Sequence, residues 1–263
     1  MYPDELFWGI DLYAVMICLG VVAAIILFRV LCDKKKLSGK LVIFFLLVAV
    51  GSIFVGFFFA LLFQSFYNYL ETKVWLWQGM TFFGGLVGGV LCFLFFYFLI
   101  GHFVFKQKEH VERFPAYAGC AAPCIVIAHA LGRIGCLFAG CCYGPHSDSF
   151  GLPMKIDGVW QNRVPTQLLE AVFLLLLFAV LLVILFKEDG SYLLQIYLIA
   201  YGVWRFCIEY LRDDPRGNSG ISFLSPSQLT AIVLVLAGTA LIFVYKYLYP
   251  KLIGRLKQHD TQE

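Results

Sequence analysis

The sequence predicts an all-α, polytopic membrane protein with seven transmembrane helices, its N-terminus outside and its C-terminus cytoplasmic. Three observations carry that expectation. Of 263 residues, 61% are hydrophobic and only 14% charged, against about 25% charged in a soluble domain. So large an apolar excess exceeds what a water-soluble core can hold, and a bilayer is the solvent that accepts it. Seven apolar runs reach the roughly 20 residues needed to cross a hydrocarbon core: 9–31, 41–64, 81–105, 116–139, 167–187, 191–211 and 227–249. Most of the 20 Lys and Arg residues fall in 29–40, 102–113, 186–191 and the tail from Lys246. The opposite side holds Lys73, Lys155, Arg163, Arg212 and Arg216, so the positive-inside rule sets N-out, C-in.

Taken in order, the first, fifth and seventh runs are the clean ones, with few charged residues. The first is long enough to stay in the membrane and no A-x-A-like site follows it, so no cleavable signal is expected. Aromatic residues make up 17% of the chain, with 27 Phe, which suits lipid-facing surfaces. The fourth run is rich in Gly, Ala and Cys. Small residues let helix backbones approach closely, so this helix is expected inside the bundle. The fifth and seventh runs open with PTQLLEA (165–171) and PSQLTAI (226–232), and Thr166 and Ser227 are the capping candidates there. The whole chain, 1–263, reads as one integral-membrane domain, with segments of about 140–166 and 212–226 forming an extracytoplasmic cap. Net charge is +3, and the basic residues form no patch interleaved with stacking aromatics, so nucleic acid is excluded as a partner.

Charges inside apolar segments cost at least about 2.5–3.5 kcal/mol near the membrane centre and mark functional sites. Two segments carry them. HALGRIG places His129 and Arg133 four residues apart on one helical face. YGVWRFCIEYLRDD spaces Tyr201, Arg205, Glu209 and Arg212 by 4, 4 and 3 residues, again one face. Arg163 and Glu170 add polar groups on the same side. Arg205 and Glu209 can neutralise each other, but Arg133, Arg163 and Arg212 then have few acidic partners. A surplus of guanidinium groups at a membrane interface fits a lipid phosphate, which Arg grips with a planar two-pronged fork.

These blocks resemble the prolipoprotein diacylglyceryl transferase family. GRIG at 132–135, RVPTQLLEA, YGVWRFCIEYLR, GMTFFGGLVGG and LSPSQL occur in the family's order over nearly the whole chain. The resemblance implies a bacterial inner-membrane transferase with its site on the extracytoplasmic side and no cofactor. Its partners would be the bilayer, phosphatidylglycerol and the lipobox cysteine of a prolipoprotein. The diacylglyceryl group passes to that thiol and glycerol phosphate leaves. Arg133 and Arg205 match the family's essential arginines and would stabilise charge on the departing phosphate. Glu209 would orient Arg205, Tyr201 would bind the headgroup or help activate the thiol, and Arg163 and Arg212 would position the lipid. Gly84, Gly85, Gly132 and Gly135 are expected beside the headgroup.

The chain departs from the family's pattern at several points. Phe83 stands where the family usually has a histidine. Cys136, Ala139 and Cys141 replace two asparagines and a glutamate after GRIG. A thiol of pKa about 8.5 still has to lose its proton. His129, Tyr201, or the arginine field alone are the three ways open to it. Of nine cysteines, Cys136, Cys141 and Cys142 cluster in sequence. Their C-x4-CC spacing lacks the paired pattern of structural zinc sites, so no metal centre is expected. Two rival readings remain: a divergent relative with another acceptor, and a membrane thiol-redox protein.

Overall fold

The computed structural model describes residues 11–105, 109–156, 158–188, 190–214 and 223–260. Among them, six helices are long and apolar enough to cross a membrane: Leu12–Lys34, Gly39–Leu70, Gly84–Val104, Phe114–Ala139, Thr166–Lys187 and Pro226–Arg255. The protein is mostly helical and polytopic. Side chains such as Leu47, Phe54, Phe95, Phe103 and Leu176 lie exposed on these helices, an apolar surface far larger than a water-soluble protein presents.

The chain forms two compact units, Met1–Leu31 with Ala118–Tyr249, and Cys32–Tyr117 with Pro250–Glu263. In the second unit, α2 (Gly39–Thr72) and α3 (Phe82–Val104) pack along a seam of small residues. A Cβ on Gly56 would lie 3.0 Å from the Gly85 carbonyl oxygen, so only glycine permits that approach. Lys73, with φ of 59°, ends α2, and the chain then runs back beside the helix it has left. Asn68 Nδ2 donates to the carbonyls of Leu76 and Gln78, and Thr81 Oγ1 donates to Gln64 Oε1 at 2.7 Å. The GMTFFGG block is thereby anchored at the start of α3. The short α4 (Glu109–Glu112) follows.

The first unit holds α1 (Leu12–Lys34), α5 (Phe114–Ala139), α6 (Thr166–Lys187), α7 (Leu193–Ile208) and α8 (Pro226–Phe243); α1 and α5 run past its limits. As expected from its small residues, α5 is the most buried of the long apolar helices. The sixth expected span is shorter than its 191–211 run: α7 has 16 residues and tightens into a 3-10 turn over Glu209–Leu211. After α8 come a π-helical turn, Val244–Leu248, and α9 (Tyr249–Asp260).

Two expectations need correction. The fold is not all helix: β1 (Leu152–Ile156) and β2 (Val159–Arg163) form an antiparallel hairpin within the 140–166 segment. Its two-residue connection has the sequence Asp-Gly, a strong hairpin signal, and Gly158 sits at φ of 81°. Met154 and Ile156 point inward and pack with Leu137, Tyr143 and Leu152, which fastens the hairpin to the end of α5. Ser227, the expected cap of α8, is also displaced. Ser225 caps it in a reciprocal box with Gln228, because Pro226 takes the first helical position, where its missing N–H costs nothing. Thr166 does not cap α6 either; its hydroxyl donates to the Cys142 carbonyl at 2.6 Å. Residues 215–222 of the second cap segment, including Arg216, lie outside the described residues.

Candidate active site

The buried face of α6 runs through Gln167, Glu170, Leu174, Leu177, Leu181 and Leu185, a stripe at helical spacing. Its polar residues fall in the first turns, so Glu170 is carried inside, where its side chain is only 1% exposed. There it organises two residues from other helices. Arg133 Nη2 of α5 lies 3.0 Å from Glu170 Oε1, and the Tyr201 hydroxyl of α7 donates to the same oxygen at 2.7 Å. Arg133 Nη2 also donates to the Tyr201 hydroxyl at 3.2 Å. A buried charge has to be paired and hydrogen-bonded, and this triangle does both. His129, one turn before Arg133, packs edge-on against the Tyr201 ring at 4.5 Å. Its Nδ1 is 3.1 Å from the Tyr197 hydroxyl, so the imidazole is held by α7.

One turn along α7, Arg205 Nη2 pairs with Glu209 Oε2 at 2.9 Å. Glu209 is itself fixed, because Ser225, the cap of α8, donates to Glu209 Oε1 at 2.6 Å. The cap thus serves two purposes, ending a helix and orienting the carboxylate that orients Arg205. Each arginine also keeps a buried nitrogen that no group of the described structure satisfies, Nε of Arg133 and Nη1 of Arg205. A buried unpaired donor costs about 1–3 kcal/mol, more when charged.

Arg212 does not continue the face of Tyr201, Arg205 and Glu209. The 3-10 turn changes the helical phase, and Arg212 has extended backbone at φ of −108°. It makes a two-pronged contact with Asp214, at 3.1 Å in each arm. Burial pushes the Asp214 carboxyl up, against the opposing pull of Arg212. Arg163, at the end of β2, pairs with Asp213 Oδ2 at 2.7 Å and lies over the Tyr143 ring. Each of these two arginines thus has its own carboxylate, and the Arg212 side chain is only 6% exposed.

The four glycines expected beside the headgroup each meet a neighbouring helix. A Cβ on Gly135 would lie 3.2 Å from Tyr13 and Met16 of α1, and one on Gly132 would touch Ile17. In the second unit, Gly84 and Gly85 abut Phe63 and Ala60 of α2. All four are occupied in helix contact: a missing side chain admits a neighbouring helix as readily as a ligand. The side chain of Phe83 lies outside the described residues.

Beyond Arg133, α5 ends in the three cysteines, all free thiols, with their Sγ atoms within 4.8 Å of one another. Hydrogen bonds from Cys136 and Cys141 push the Cys142 thiol well below its ordinary value, aided by Arg212 and Arg133. Sharing those hydrogen bonds pushes Cys141 up. Two groups were underweighted in the sequence. Glu170 is visible there as the polar member of the α6 stripe, and Ser225 as the residue before a helix-starting proline.

The model of the prolipoprotein diacylglyceryl transferase family matches residues 5–244. Among curated proteins, the chain is 34% identical over 178 residues to phosphatidylglycerol–prolipoprotein diacylglyceryl transferase 2 of Clostridium perfringens. That match covers 64% of this chain and 63% of the relative, so the chain aligns with less than two thirds of that protein's length. It is 29% identical to the corresponding transferase of Clostridium tetani, covering 89% of this chain and 91% of the relative. With that of Dehalococcoides mccartyi it shares 28% identity, over 89% and 88% of the two chains. With Arg133 and Arg205 each held by a carboxylate and a family match across most of the sequence, the chain belongs to the prolipoprotein diacylglyceryl transferase family.

Proposed function

We propose that the protein transfers the diacylglyceryl group of phosphatidylglycerol to the lipobox cysteine of a prolipoprotein, releasing glycerol phosphate. The observation that carries this reading is the pair of unsatisfied buried guanidinium nitrogens, Arg133 Nε and Arg205 Nη1, on residues whose other arms are fixed by Glu170 and Glu209. Donors held in place and left unpaired are what a departing phosphate requires, because they stabilise charge without reorganising as it forms. Tyr201, bonded to both Glu170 and Arg133, holds the Arg133 guanidinium in its orientation. His129 holds Tyr201 from the side and, with Tyr201, is a candidate acceptor for the thiol proton. Arg163 and Arg212, each tied to its own carboxylate, draw the anionic headgroup in.

An apolar groove of about 260 Å³ lies between α7 and α8, lined by Gly202, Val203, Phe206, Ala231 and Val235. It suits an acyl chain whose headgroup reaches the arginines. The chain would cross the inner membrane seven times, N-terminus outside, with the site and the 140–166 cap on the extracytoplasmic side.

The test incubates purified protein with phosphatidylglycerol and a lipobox peptide, then measures glycerol phosphate and the peptide mass. The reading expects both products from the wild type. It expects neither from Arg133→Ala or Arg205→Ala, with both variants still inserted. Unchanged transfer by those variants refutes the phosphate role, and lipid cleavage without peptide modification assigns a different acceptor.

A further inference from the structure

The three cysteines after Arg133 form a compact cluster, their Sγ atoms within 4.8 Å of one another. Cys136 lies in the last turn of α5, and Gly140, at φ of 68°, breaks the helix. Cys142 then takes a left-handed backbone, φ of 66°, a conformation that non-glycine residues adopt at a cost of order 1–3 kcal/mol and that clusters at functional sites. In an extended chain, neighbouring side chains point to opposite faces. The left-handed turn instead brings Cys141 and Cys142 to one side, facing Cys136.

The turn is clamped from outside itself. The Cys141 amide donates to the Cys136 carbonyl at 3.2 Å. Thr166 and Gln167, at the start of α6, donate to the carbonyls of Cys142 and Cys141. Outer partners of this kind hold ligands in place before a ligand arrives.

We propose that Cys136, Cys141 and Cys142 bind a soft divalent d10 cation, Zn2+ first among them, leaving a fourth position for the acceptor thiol. A zinc–sulfur bond of about 2.3 Å gives tetrahedral sulfur–sulfur edges of about 3.8 Å. The widest pair, at 4.8 Å or less, closes to that by side-chain rotation. Thiolates select zinc over hard cations. Three protein ligands with one position open is the pattern of catalytic zinc, whereas structural sites are closed by four. A linear spacing rule overlooks the cluster because it counts paired motifs, and here the backbone turn does the pairing. Three thiolates on Zn2+ leave one negative charge on the site.

The role in catalysis rests on the transferase reading. A thiol coordinated to zinc is deprotonated by the metal, and its proton passes to bulk water. Sulfur then attacks the lipid carbon, the bond from that carbon to phosphate oxygen breaks, and glycerol phosphate leaves with the electron pair. Neither His129 nor Tyr201 has to take the proton, which fits a chain with Phe83 in place of the family's histidine.

The test uses full-length protein in detergent, reduced with a phosphine, stripped with chelator and titrated with Co2+. One equivalent is expected to give thiolate-to-cobalt charge-transfer absorption with tetrahedral d–d bands, and Zn2+ to abolish both. Cys136→Ser, and Cys141→Ser with Cys142→Ser, should lose the bands. A lipobox peptide should shift the d–d bands, whereas its Cys→Ser version should not. Chelation should slow transfer, with recovery on adding Zn2+.

The absence of cobalt bands in the wild type, or their persistence in the cysteine variants, overturns the site while the transferase reading stands or falls on its own assay. Bands with transfer at full rate after chelation overturn the acceptor role. Bands with no transfer under any metal condition keep the site and overturn the transferase reading.

Discussion

Glu170 decides whether Arg133 can be a catalytic cation at all. An arginine in the low-dielectric interior needs a counter-charge, and one carboxylate oxygen supplies it while also accepting from Tyr201. Breaking a buried pair by removing one partner costs about 3–5 kcal/mol. Glu170→Ala should therefore lower the melting temperature in detergent and abolish transfer. Glu170→Gln keeps the shape and one acceptor but leaves Arg133 without its counter-charge, so it should melt between the wild type and Glu170→Ala while losing most activity; wild-type activity in Glu170→Gln would show a purely structural carboxylate. Tyr201→Phe removes two hydrogen bonds without a cavity. It should reduce kcat roughly 10- to 100-fold, about 1.4–2.7 kcal/mol of barrier, with little change in stability. At this scale the sequence was informative about identities and weaker on geometry. Arg133, Arg205 and Tyr201 were legible from charge inside apolar segments and from the family resemblance. The function of Ser225 was hidden because capping depends on which residue adopts the non-helical backbone before Pro226.

At the scale of elements, glycine positions are where helices meet. A Cβ on Gly202 of α7 would lie 2.7 Å from a Val235 methyl and 2.9 Å from the Ala231 carbonyl oxygen of α8. Gly202→Leu should separate those helices, lower the detergent melting temperature and disturb Arg205 one turn away. A variant with wild-type melting and activity would show that the α7–α8 contact does not support the site. The hairpin depends on a different kind of contact. Met154 is fully buried among Leu137, Tyr143 and Ile156, and truncating such a residue costs about 2–5 kcal/mol. Met154→Ala should loosen the cap, seen as faster proteolysis between residues 150 and 163, while the membrane helices stay intact. Helices were legible in the sequence because apolar length alone identifies them. The hairpin was missed because its inward residues are few and its Asp-Gly turn lies in a segment with little hydrophobic pattern.

For the whole molecule the open quantity is the number of crossings, and it turns on α7. Its 16 residues rise about 24 Å at 1.5 Å each. The 3-10 turn of three residues adds about 6 Å. The sum is about 30 Å, the thickness of a hydrocarbon core. Composition argues against a span, since Arg205 and Glu209 sit in the segment, but their 2.9 Å pairing and the Ser225 bond lower the cost. Parity then gives a decisive readout. With the N-terminus outside, seven crossings put the C-terminus in the cytoplasm, and six put it outside. The tail carries Lys246, Lys251, Arg255 and Lys257, which favours the cytoplasm. A fluorescent protein fused to the C-terminus should therefore glow and alkaline phosphatase there should be inactive. Alkaline phosphatase inserted after Phe150, beside the hairpin, should be active. Phosphatase activity at both positions would mean that α7 fails to cross, and that the paired Arg205 and Glu209 lie along the interface rather than within the membrane.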